Sequence, residues 1–198
     1  MLNPAHWLKT LSSIASVAQC RIQGRDASLD EGYGRLSELF SSTREREGTV
    51  WWVGNGGSCA MCAHLAQDAL NKLRVRSQVL SEPSLMTCMA NDFGYEHVYD
   101  RPLGRLARPG DCLVAISSSG NSQNIVNCLD YALEAGLAVV TVSAFAPTNT
   151  LWNRACDVAL YLPWSLYGLV EVGHEALLHA AIECQFLAEN DNQGSSNE

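Results

Sequence analysis

His64 and Asp68 lie four residues apart in Ser58 to Leu73, a stretch without glycine or proline that reads as a helix. Four residues is about one helical turn, so the imidazole and the carboxylate share a face. Such a pair can chelate a divalent metal or act as an acid–base pair. An ordinary helix-surface ion pair is the alternative, and the two residues by themselves favour it. A second cluster, Glu171-Val172-Gly173-His174-Glu175, precedes His179. Glu175 and His179 repeat the four-residue spacing. Glu171 and His179 are eight apart, about 12 Å along an ideal helix. They meet at one metal only if both side chains reach inward or the helix begins after Glu171, which keeps Glu175 open as the other ligand. His174 is a further candidate, although a lone histidine in a helix is more often packed or solvated. Cys59-x-x-Cys62 ahead of His64 has metal-like spacing, but no second cysteine pair exists and the three residues point around different sides of one helix. His6 and His97 have no identifiable partner.

Two turns could hold an anion. Gly54-Asn55-Gly56-Gly57-Ser58 follows the strand-like Thr49-Val50-Trp51-Trp52-Val53 and opens the helix that carries His64. Glycines let the backbone turn sharply and approach a ligand, and a helix start supplies N–H groups and a positive dipole end. Asp111 to Ile116 repeats the pattern as a strand. It runs into Ser117-Ser118-Ser119-Gly120-Asn121-Ser122, then a helix from Gln123 to Glu134. Four hydroxyls at a helix N-terminus suit a phosphate. Each turn alone also fits a plain strand–helix connection; the repetition argues for a ligand.

These two turns, with Ala90-Asn91-Asp92-Phe93-Gly94-Tyr95-Glu96 between them, resemble the sugar-isomerase (SIS) domain family over nearly the whole chain. More narrowly they resemble its phosphoheptose isomerases, which act on sedoheptulose 7-phosphate. The resemblance implies a zinc site at His64, Asp68, Glu171 and His179, with Asp68 as catalytic base and His179 as acid. It implies sugar contacts at Asn55, Gly56, Gly57, Ser58, Asn91, Asp92 and Glu171, and phosphate contacts at Ser117, Ser118, Ser119 and Ser122. It also implies a homotetramer with the N-terminal helices between subunits. Two positions depart from the family: Asp68 stands where a glutamate is usual, and Glu171 where a glutamine is usual. The pair of changes reads as compensatory. The rival expectation is a non-catalytic SIS module that binds a phosphosugar or a protein.

These residues need a scaffold. From Thr49 onward strands and helices alternate: strands at Val75 to Leu80, Asp111 to Ile116, Leu137 to Ser143 and Asp157 to Leu162, and helices at Ser84 to Ala90, Gln123 to Glu134 and Gly168 to Glu189. The pattern predicts an α/β fold, a doubly wound parallel sheet of about five strands flanked by helices. Ligands in such sheets bind beyond the carboxyl ends of the strands, where both turns fall. Ahead of the sheet, Pro4 to Ile22 carries an apolar stripe at Trp7, Leu11, Ile14 and Ala18, and a second helix is predicted from Leu29 to Arg46. The expected division is residues 1–48 as an N-terminal helical extension at an oligomer interface, 49–190 as the SIS domain, and 191–198 as a disordered tail.

At 198 residues and 47% hydrophobic content the chain fits one cored domain. Its formal net charge of -8 and lack of a basic stripe argue against a nucleic-acid partner. No secretory signal or membrane-length apolar run is visible, so no membrane partner is expected. The eight cysteines are scattered, several in apparent strands or helices, which suits a reduced cytoplasmic protein.

Overall fold

The computed structural model describes residues 3–194. Seven strands form one mixed sheet. Five of them are the parallel strands that the alternation predicts: β3 (Thr49–Gly54), β4 (Arg76–Val79), β5 (Cys112–Ser117), β6 (Ala138–Ala144) and β7 (Val158–Leu162). The other two precede them in sequence, β1 (Gln19–Ile22) and β2 (Arg25–Ala27), and the spatial order is β2-β1-β7-β6-β5-β3-β4.

The expected helix over Pro4 to Ile22 is therefore corrected. It breaks into α1 (Pro4–Leu11) and α2 (Ile14–Val17), and then into β1. The Ser12 and Ser13 hydroxyls donate to the carbonyls of Lys9 and Thr10, drawing the backbone into turns where the helix would continue. Gln23 and Gly24 both take positive φ, 51° and 74°, so a two-residue hairpin joins β1 to β2. β1 then adds antiparallel to β7, with Cys20 opposite Leu160. The segment before residue 48 thus supplies an edge of the sheet as well as helices. Its second helix, α3 (Leu29–Glu45), matches expectation and opens with a capping box between Ser28 and Glu31, worth about 1 kcal/mol.

Four of the parallel strands, β3, β5, β6 and β7, are buried on both faces. Val50, Trp52, Val114, Ile116, Val140 and Val142 face α3, α4 (Gly57–Lys72) and the terminal helix. Trp51, Val53, Leu113, Ala115 and Val139 face the opposite layer, which holds α5 (Pro83–Phe93), α6 (Asp100–Leu106), α7 (Gln123–Glu134) and α8 (Thr150–Asn153). Alternate residues of one strand thus feed two cores, as the pleat dictates. Each fully buried aliphatic side chain contributes about 1.5–3 kcal/mol.

The last helix, α9 (Tyr167–Gly194), is longer than expected. It takes in the first residues of the predicted tail, whose remainder, 195–198, lies outside the described residues. β3 lies between β4 and β5, so the chain leaves β3 to one side and returns on the other. The helices that follow β3 and β5, α4 and α7, pack on opposite faces, which is where a doubly wound sheet opens a crevice.

Candidate active site

Both turns predicted from the sequence open at that crevice. Gly54 ends β3, and its carbonyl accepts the Tyr99 hydroxyl. A Cβ on Gly54 would stand 2.8 Å from the Ser58 backbone, so only glycine lets the chain fold back this tightly. Gly56 has φ 55° and leads directly into α4. Asn55 is fixed by its side chain: it exchanges two amide hydrogen bonds of 2.9 Å with buried Asn124 and accepts the Tyr95 hydroxyl at 3.1 Å.

In the second turn the Ser117 hydroxyl sits 3.4 Å from that of Ser119 and 3.3 Å from that of Ser122, and it accepts the Gly120 N–H. Ser122 is the N-cap of α7 but makes no side-chain cap bond. Its hydroxyl turns to Ser117 and leaves first-turn N–H groups of α7 to a ligand. The two turns line one cavity of about 240 Å³, well above the ~10–15 Å³ that a single water needs. Asn55, Gly56, Gly57, Ser58, Ser117, Ser118, Ser119 and Ser122 all line it, joined by Tyr167 and Glu171.

Glu171 faces Gly57 across this cavity. A Cβ on Gly57 would lie 2.4 Å from Glu171 Oε1, so the missing side chain makes room for the carboxylate. Hydroxyls and N–H groups on one wall suit an anion; a carboxylate on the other suits sugar hydroxyls, which donate to it.

α4 and α9 run side by side in the same direction. Gly57 is level with Glu171, and further along His64 and Asp68 are level with His179, then Lys72 with Glu183. At the middle level His64 Nε2 and His179 Nε2 are 3.1 Å apart, and His179 Nδ1 is 3.4 Å from Asp68 Oδ2. Donor atoms of these three residues lie within 4.8 Å of one another. The chemistry fits a divalent cation. Two imidazoles and a carboxylate suit zinc, two nitrogens on one tetrahedral zinc stand about 3.3 Å apart, and three protein ligands leave the fourth position that a catalytic centre needs.

Elsewhere in the structure lie three other residues considered for this cluster. Glu171 is not in it; it sits two helical turns away at the anion cavity, as the eight-residue spacing allows. Glu175 is not in it either. His174 is wholly buried, its Nε2 donates to the Ser143 carbonyl, and burial lowers its pKa to about 4, so it is a neutral packing residue. Elsewhere His97 does have a partner, Asp100 at 3.0 Å. Cys59 and Cys62 join no metal-ligand group among the described residues, and burial pushes the Cys62 thiol well up.

Residues 18–144 match the family model of the SIS domain. The phosphoheptose isomerase of Trichlorobacter lovleyi is 30% identical over 163 residues, covering 79% of this chain and 82% of that protein. That of Tolumonas auensis is 34% identical over 154 residues, covering 75% and 79%. The chain belongs to the phosphoheptose isomerase family of SIS-domain proteins. It is an isomerase by that membership. In fold, the structure of phosphoheptose isomerase GmhA from Neisseria gonorrhoeae superposes with a TM-score of 0.77 at 26% identity, covering 91% of this chain and 94% of that one.

Within this family's frame, one pair expected from the sequence is not in the cavity. Asn91 and Asp92 are exposed on the last turn of α5, where Asn91 donates to Asp92 and the Cys88 thiol lies 3.6 Å from Asp92. Tyr95 of the same motif reaches the site instead, through Asn55. Sequence reading missed Tyr95, Tyr99, Asn124 and Tyr167. Only Tyr95 carried a signal, its place in the third motif; the others come together through the fold alone.

Proposed function

We propose that the chain is an aldose–ketose isomerase converting sedoheptulose 7-phosphate to D-glycero-D-manno-heptose 7-phosphate. One observation carries the reading: Gly57 and Glu171, which face the serine cradle, and the His–Asp–His cluster occupy successive levels of α4 and α9. Seven residues from Gly57 to His64 span about 10 Å of helix. From C1 of an extended heptose 7-phosphate to its phosphorus there are eight bonds, roughly 9–10 Å at about 1.2 Å of advance per bond. With the phosphate on Ser117, Ser118, Ser119 and Ser122, C1 and C2 come level with His64, where the Asp68 and His179 side chains gather. The sugar hydroxyls then meet Asn55, Gly56, Gly57, Ser58 and Glu171.

Asp68 takes the proton from C1, and the C–H electron pair becomes the C1–C2 double bond. His179 protonates the C2 carbonyl oxygen, giving the enediol. His179 then takes back a proton from O1, the C1 carbonyl forms, and Asp68 returns its proton to C2, which leaves both residues as they began. A zinc ion held by His64, Asp68 and His179 supplies Lewis acidity at the sugar carbonyl when bound. An assay of sedoheptulose 7-phosphate isomerisation with and without chelator tests the reading; no turnover in metal-replete protein overturns it. A second reading, a phosphosugar-binding module without catalysis, draws on one observation: Asp68 is already paired with Lys72. Metal content of the purified protein separates the two.

The free state of all eight cysteines supports a cytoplasmic setting. No helix among the described residues is long and apolar enough to cross a membrane. Leu8, 61% exposed on α1, supports assembly through the N-terminal helices into a tetramer, although the Trp7 ring lies against α9 of its own chain near Gly168. A one-chain mass by light scattering overturns that assembly.

A further inference from the structure

At the amino ends of the strands, opposite the serine cradle, a second cavity of about 320 Å³ lies between two loops and the edge strand β4. One loop is residues 46–48, between α3 and β3; the other precedes β5. Arg46, Arg76 and Arg108 all line it. We propose that this cavity is a second anion site, one that takes a small phosphate-bearing ligand and is separate from the substrate cradle.

The charge arrangement runs against that of the chain. With a net charge of -8 the protein has more carboxylates than cations, and Arg21, Arg35, Arg44 and Arg154 each hold one in an ion pair. Arg46, Arg76 and Arg108 hold none among the described residues, yet they converge on one cavity. Two carboxylates share the lining. Glu47 is exposed to solvent. Asp111 is buried and held by the backbone and an indole: Oδ1 accepts the Thr49 N–H at 2.8 Å, and Oδ2 accepts the Trp51 indole N–H at 2.8 Å and the Arg108 N–H at 2.9 Å. These bonds pin both loops, and with three arginines against two carboxylates (3 − 2) the lining keeps a net formal charge of +1 for an outside anion.

The backbone presents these groups. Thr49 pairs with Arg76 and Trp51 with Gln78, so Arg76 and Gln78 stand on the same face of the sheet as the Trp51 indole. Arg46 is braced at its base: its Cβ and Cδ lie 3.3 Å from where a Cβ on Gly110 would be, and Gly110 takes φ 97° to pass beneath it. The six residues of β3 put roughly 20 Å between this cavity and the serine cradle, so one small ligand cannot serve both.

The test uses inorganic phosphate as probe in titration calorimetry at low ionic strength, on the full chain. The Ser119→Ala, Ser122→Ala variant, with its cradle disabled, should still bind one phosphate per chain. Adding Arg76→Gln and Arg108→Gln should weaken that binding at least about tenfold. In the otherwise unaltered chain the same arginine changes should leave the cradle's phosphate affinity as it was. Arg46→Gln alone gives the same readout if the double change impairs folding. Absence of saturable binding in the cradle-disabled chain, or binding indifferent to the arginines, overturns the proposal.

Discussion

Lys72 Nζ lies 3.1 Å from Asp68 Oδ2, one helical turn on along α4, and 2.8 Å from Glu183 of α9. The ammonium offsets the charge of the one carboxylate that completes the His64–His179 cluster. It also holds the Glu183 carboxyl below the ordinary range through its hydrogen bond. A divalent cation at the cluster must share Asp68 with this lysine. Lys72→Met should therefore tighten metal binding, by no more than several-fold because the pair is partly solvated. Competition against a chromophoric chelator measures it. Unchanged or weaker metal affinity would mean that Lys72 does not contend for Asp68.

His174 gives a pH dependence with a defined sign. Burial lowers its folded pKa from 6.5 to about 4. Between those values the unfolded chain binds a proton that the folded chain refuses, so stability falls as pH drops from about 6.5 to about 4 and levels off below. The full effect is about 3 kcal/mol. His174→Gln should flatten this slope relative to the parent in urea denaturation at stepped pH. Parallel slopes would show that other groups dominate acid unfolding.

The Gly57 and Glu171 contact separates function from fold. An alanine at Gly57 must displace the Glu171 carboxylate, whose Oε1 would be 2.4 Å from the new Cβ. That carboxylate ends a flexible side chain and can swing, so Gly57→Ala should leave the melting temperature near the parent's. Catalytic efficiency should fall about tenfold or more, since both residues line the substrate cavity. Parent-like kcat/KM would remove Glu171 from the substrate's path.

Much of this architecture was legible because its signals are local. The turns at Gly54–Ser58 and Ser117–Ser122 were readable because glycine and serine there answer to backbone conformation and to a helix start. Four of the five parallel strands were readable from near-continuous apolar runs. The β1–β2 hairpin was not. Ala18 and the residues before it fit a helical stripe, and the pairing of Gln19–Ile22 with β7 is a contact across some 140 positions of sequence. The place of Glu171 beside Gly57 was illegible for a related reason. Its motif position pointed to the metal, but helix rise sets it two turns from His179, and only the side-by-side course of α4 and α9 brings it to Gly57. The Asn55–Asn124 amide pair left no local trace at all.

The last prediction assigns the base. Asp68 is 9% exposed, faces His179 at 3.4 Å, and sits where C1 and C2 of a cradle-held heptose phosphate would come. Glu171 is the other carboxylate within reach of substrate, but at the level of the phosphate end. Asp68→Asn keeps the size and one ligand oxygen while removing the basic carboxylate. It should retain much of the metal, lower kcat at least about a thousandfold, and leave KM near the parent value because the cradle is untouched. His64→Ala should lose metal and turnover together, since it removes an imidazole that an oxygen ligand cannot replace. Glu171→Gln should raise KM more than it lowers kcat. The decisive measurement is solvent-deuterium incorporation at C1 of sedoheptulose 7-phosphate, which reports proton abstraction apart from later steps. If Asp68→Asn still exchanges at the parent rate while Glu171→Gln does not, the base is Glu171, and the His–Asp–His cluster serves to bind.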